Sequence, residues 1–148
     1  MAQIIYAMQF KGQATPVSES PMVMKAQTSC PSGSISSTVG PNGLESGILP
    51  ASGEEATFES TVEMTSEANF QEKGTITFGP GNLLFFNTVG EGTIGESPDE
   101  GVNHGSIMWK ITNGLGQFEV IRPVAPSNFT LDGSGNLVDN QFGVIYLK

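Results

Sequence analysis

Cysteine, histidine and tryptophan each occur once in these 148 residues. With Cys30 alone no intrachain disulfide can form. The thiol lies in Thr28-Ser29-Cys30-Pro31, read as a turn, with no base beside it in sequence to activate it. His104 with scattered carboxylates does not make a zinc site, so neither a metal nor another cofactor is expected. Basic residues are few, 6 Lys and Arg against 15 Asp and Glu, for a formal charge of −9. Such a surface is repelled by a phosphate backbone and by an anionic bilayer, so neither nucleic acid nor membrane is an expected partner. No apolar run approaches the ~18–20 residues of a membrane span. Met1 to Met8 has neither the positive start nor the long apolar stretch of a signal peptide, and cytoplasmic residence is the expectation. Sustained 3.6-residue periodicity is missing as well.

What is present is period-two alternation, punctuated by nineteen glycines and nine prolines. Strands are expected over residues 4–13, 22–28, 34–39, 44–49, 56–66, 70–78, 83–86, 89–95, 104–112, 117–121, 127–131 and 141–147. Phe58, Val62 and Met64 share one face of their strand, and Glu59 and Glu63 the opposite, solvated face. Phe70, Gly74, Ile76 and Phe78 form a second apolar face, and Ile107, Trp109 and Ile111 a third. The connections are too short for crossover helices, so the strands are antiparallel. The fold class is all-β: residues 1–148 are expected to form a single domain in which about eight to ten of these segments build the main sheet. Gly12, Gly74, Gly90 and Gly92 fall inside strand patterns, where glycine permits sharp bends, and this favours a small closed barrel over a sandwich. Leu83-Leu84-Phe85-Phe86 is apolar on both faces, which points to a homodimer or homotrimer that covers the outer one.

From Gly92-Thr93-Ile94 through His104-Gly105-Ser106-Ile107-Met108-Trp109-Lys110-Ile111-Thr112-Asn113-Gly114-Leu115-Gly116-Gln117-Phe118-Glu119, the chain resembles allene oxide cyclase-like barrels of the calycin type. In that group a strand ends in an Ile-Thr-Gly-Gly-x-Gly-x-Phe-Glu-Gly turn. The likeness covers about a third of the chain and implies the barrel more than any activity. The chain departs from the pattern after Glu119, where Val120-Ile121-Arg122-Pro123 replaces the glycine-bearing continuation.

Three side chains are candidate acids or bases. Glu91 lies between Gly90 and Gly92 with the parity of Val89, Phe85 and Leu83; if that face lines the lumen, Glu91 is a buried acid with a raised pKa. His104 follows the acidic loop Glu96 to Glu100 and begins a strand. Glu72 shares the parity of Phe70 and Ile76 and is expected to point inward. Glu119 has the opposite parity to Phe118. Phe85, Trp109, Phe118, Tyr6 and Met108 are the candidate substrate contacts, with barrel filling as the competing role. No Gly-x-Ser-x-Gly elbow supports a hydrolase, and neither Gly79-Pro80-Gly81 nor Gly90-Glu91-Gly92 opens a helix that could hold phosphate.

Three readings stay open. One is a cofactor-independent lyase or isomerase, cyclase-like, acting on an apolar small molecule in the lumen. The second is a non-catalytic, lipocalin-type binding barrel. The third is a structural protein with a filled core. A cavity holding a carboxylate separates the first from the third.

Overall fold

The computed structural model describes residues 2–19, 22–30, 34–50, 53–118 and 124–147. Among these are eleven strands and no helix: β1 (Ala2–Glu19), β2 (Met22–Cys30), β3 (Ser34–Gly40), β4 (Gly43–Leu49), β5 (Ala56–Met64), β6 (Asn69–Phe78), β7 (Leu83–Thr88), β8 (Gly92–Glu96), β9 (Val102–Leu115), β10 (Val124–Asp132) and β11 (Asn136–Leu147). Eight of them, in the order β1-β2-β5-β6-β7-β9-β10-β11, close into an antiparallel barrel through the β11–β1 ladder. Strand β8 takes over from β7 at one end, pairing with β6 and β9. No helix among the described residues is long and apolar enough to cross a membrane.

Closure depends on one long strand. β1 pairs with β11 from Ala2 to Gln13 and with β2 from Lys11 to Glu19. Pro16, which has no N–H to donate, is accommodated where the β2 register shifts between Pro16 and Ser18. Strand β2 runs through Thr28 to Cys30, the stretch read from sequence as a turn. The strand expected over residues 117–121 does not begin at Gln117 or Phe118. Its remainder, with Glu119 and the departure from the family pattern through Pro123, lies outside the described residues.

Glycines set the tight places. A Cβ on Gly74 would lie 2.1 Å from the Glu59 carbonyl oxygen, and one on Gly12 would lie 2.0 Å from that of Gln27. Both strands therefore approach their neighbours more closely than a side chain allows. Three further glycines lie under the rings of their ladder partners: Gly92 under Phe70, Gly105 under Phe129 and Gly143 under Tyr6. Aromatic cover of strand glycines of this kind pins register.

The lumen is filled through its lower and middle parts. At one end Phe78 meets both Tyr6 and Phe118 edge-on, with ring centroids 5.3 and 5.6 Å apart. Above them Phe58, Phe86 and Trp109 form a cluster with centroids 4.5–5.4 Å apart, and Phe10 joins it. An eight-stranded barrel has room for little more than such filling. The end carrying Ala14, Met24, Val62, Phe70 and Leu137 keeps open space.

Strands β3 and β4 are not part of the wall. They form a two-stranded ribbon that pairs with itself from Ser34–Leu49 to Gly40–Gly43 and touches β1 at Met8–Ser34.

Candidate functional site

The open end of the lumen is a funnel. Half-buried Met24, Val62, Met64, Ile94, Phe129 and Leu131 line its mouth, and Ala14, Ala26, Phe58, Phe70, Leu137 and Trp109 its wall. Glu72, Asp139 and Ser127 are the polar residues at the bottom. The empty space is about 520 Å³ including the part open to solvent, but positions where the centre of a water molecule fits amount to only about 60 Å³. A few waters or the end of a small molecule therefore fit beside the carboxylates.

Glu72 is held at a break in the wall. Strand β6 pairs with β7 from Lys73 to Thr77 and with β8 at Asn69 and Phe70, which leaves Glu72 between the two ladders. The Thr88 hydroxyl fills that gap. It accepts the Glu72 N–H at 2.6 Å and donates to the Glu72 carbonyl at 2.8 Å. The carboxylate points inward, where Oε1 accepts the indole N–H of Trp109 at 2.9 Å and Oε2 accepts the Ser60 hydroxyl at 2.5 Å. Burial pushes the carboxyl up to about 8; the negative Asp139 adds to this, and the Ser60 and Trp109 hydrogen bonds oppose it.

Asp139 belongs to a second network. Its carboxylate accepts the Ser127 hydroxyl on Oδ1 and the Gln141 amide on Oδ2, the latter at 2.8 Å. The Tyr6 hydroxyl in turn donates to Gln141 Oε1 at 3.3 Å. Burial raises the Asp139 carboxyl to about 6, against the two donors that lower it. Tyr6 is also raised, by burial first and by Asp139 second.

Around neutrality these two values put the acids in different states, Asp139 mostly ionised and Glu72 mostly protonated. Two titratable groups pushed apart by their surroundings are a usual basis for acid and base roles. Because the Trp109 N–H can only donate, to Oε1, the proton of the neutral acid belongs on Oε2, where it is shared with the Ser60 hydroxyl.

Of the residues singled out from sequence, Glu72 and Trp109 meet at this site. Glu91 does not: Leu84 and Phe86 are the inward residues of β7, and Glu91 lies with Val89 and Met108 in a shallow groove on the outer wall, exposed. The expectation of a buried lumen acid at Glu91 is therefore corrected. His104 is exposed on β9, across the ladders from Thr130 and Gly95, because Gly105 and Ile107 take the inward positions. Phe85 and Met108 face outward by the same alternation and do not contact the lumen. Tyr6 and Phe118 are buried in the aromatic plug, below the cavity rather than on it. Glu59 and Glu63 are exposed, as their face implies.

Asp139 went unread because Val138-Asp139-Asn140 looks like loop. Extending the parity of Gln141 and Ile145 backward would have placed Leu137 and Asp139 inside. Among the described residues no group of three or more His, Cys, Asp or Glu side chains is placed to hold a metal ion.

Fold and site together define a closed antiparallel β-barrel with an acid-floored apolar cavity. No protein-family model matches the chain, and neither a curated protein nor a solved structure matches it.

Proposed function

We propose that this barrel is a cofactor-independent lyase or isomerase that moves a proton on a small apolar carbonyl compound. The observation that carries the reading is the Glu72–Asp139 pair, two acids of separated pKa on the floor of one apolar cavity. Asp139 takes a proton from a carbon next to the carbonyl. The C–H electron pair passes into a carbon–carbon double bond as the carbonyl oxygen gains charge, and the Glu72 proton, turning from Ser60, stabilises that oxygen. Return of the proton from Asp139 to a different carbon completes an isomerisation. The apolar body of the substrate rests between Met24, Val62, Met64 and Leu131. The likeness of the Gly92–Leu131 segment to allene oxide cyclase-like barrels supports the same class of reaction, and the proposed setting is cytoplasmic.

The test follows α-hydrogen exchange of cyclopentanone in heavy water by proton NMR near neutrality. The chain should accelerate exchange over buffer. Asp139→Asn should lower that acceleration by about 10²–10⁴-fold, the range a positioned base supplies. Glu72→Gln should lower it less, since the amide still donates. Exchange equal to buffer, or untouched by either substitution, rules the mechanism out.

A lipocalin-type binding barrel is the second reading. It is favoured by the two donors that each carboxylate already accepts, which would serve a purely structural acid as well. Slowed diffusion of cyclopentanone without exchange supports it.

A further inference from the structure

The outer wall carries an apolar surface that continues across six strands. On β1 and β11 the ladder pairs Gln3 with Tyr146, Ile5 with Val144 and Ala7 with Phe142, and ladder partners share a face. Ile5 is 61% exposed and Phe142 49%. Strands β10 and β9 add Val124, Pro126 and Met108, the last two opposite each other, and Val89 donates its N–H to the Met108 carbonyl. On the other side of β1 the ribbon extends the same face. Ser34 pairs with the inward Met8, so Ile35 turns outward together with its partner Ile48. Val39 and Leu44 follow as the next apolar pair on that side, 86% and 77% exposed.

We infer that this surface joins two copies of the chain face to face about a two-fold axis. Nine of the twelve large hydrophobic side chains exposed among the described residues lie on it, and a contiguous apolar surface of this kind, unlike scattered single residues, marks an interaction site. An isolated two-stranded ribbon is marginal in water, and among the described residues β3–β4 has no third strand beyond its single bridge to β1, so cover from a second copy completes it. Charge favours a copy of the same chain. In a molecule of formal charge −9 this surface carries, among the described residues, a single carboxylate, Glu91, which shares the groove of Val89, Met108 and Pro126; Glu45 turns to the opposite face of the ribbon with Thr38, and Lys110 stands across the ladder from Val124 on the same face. A self-complementary contact thus brings one carboxylate and one lysine per copy to the interface, whereas an anionic bilayer would be repelled by the rest of the molecule. The sequence-based expectation of an oligomer rested on Leu83 and Phe85, which are half-buried and stand outside this surface.

Sedimentation velocity of the full chain at micromolar concentration tests the inference. A dimer is expected. Phe142→Glu on the wall and Leu44→Glu on the ribbon should each weaken association by about tenfold or more, with the circular dichroism of the strands retained. Val17→Glu, exposed on the far part of β1, should leave the dimer intact. A monomeric or trimeric wild type overturns the inference, as does a dimer that survives both substitutions.

Discussion

Glu72 is pulled in two directions. Ser60 and Trp109 donate to it as they would to a carboxylate, yet burial and Asp139 favour its protonated form, and burial wins. The folded value of about 8 lies above the ordinary 4.5 of a glutamate, so between those limits the unfolded chain releases a proton that the folded chain keeps. Stability from this group is full below ~4.5 and falls as pH rises towards 8. Glutamine mimics the protonated acid, so Glu72→Gln should lose that decline and exceed wild type at pH above 8 by on the order of 2–5 kcal/mol in urea unfolding. Trp109, the only tryptophan, bonds directly to Glu72. Its fluorescence should shift with a midpoint near 8 and should cease to do so in Glu72→Gln. A fluorescence titration that persists in the variant places its source elsewhere. The inward position of Glu72 was legible from the parity of Phe70 and Ile76. The outward position of Glu91 was not legible, because Leu83 to Phe86 is apolar on both faces and parity alone does not say which faces the lumen.

The elements position the site through their irregularities. Where β7 gives way to β8, Thr88 replaces a ladder partner and holds both backbone groups of Glu72. Thr88→Val keeps the shape and removes the hydroxyl. It should cost about 1–3 kcal/mol by leaving the Glu72 amide unpaired, read as a lower midpoint of denaturation. Gly74→Ala, two residues along β6, should be at least as damaging, since its Cβ would meet backbone rather than a movable side chain. An unchanged melting temperature for Gly74→Ala would contradict the close β5–β6 approach. Sequence placed most strands because alternation and turn residues are local. It missed the start of β11, where Leu137-Val138 followed by Asp139-Asn140 breaks the alternation, and with it Asp139. The excursion of β3–β4 from the wall was also hidden, because Ser34 to Leu49 reads as an ordinary hairpin and only long-range pairing shows that β5 returns to β2.

At the scale of the molecule, the filled lumen explains why the site is small. The Tyr6–Phe78–Phe118 plug and the layer around Trp109 fill the lumen away from the cavity, so the open space is confined to one end among the described residues. That end places two desolvated acids on one floor, and their linked titrations act on the whole fold. Asp139, raised from 3.8 to about 6, adds its own loss of stability over that interval, below the upper part of the Glu72 decline. The most direct test of the acid–base pair is the titration of both side-chain carboxyls by carbon-13 NMR in the folded chain. Midpoints about 8 for Glu72 and about 6 for Asp139 are expected, with one acid protonated and the other ionised between them. Two carboxyls titrating together near ~4, as free side chains do, would contradict the account.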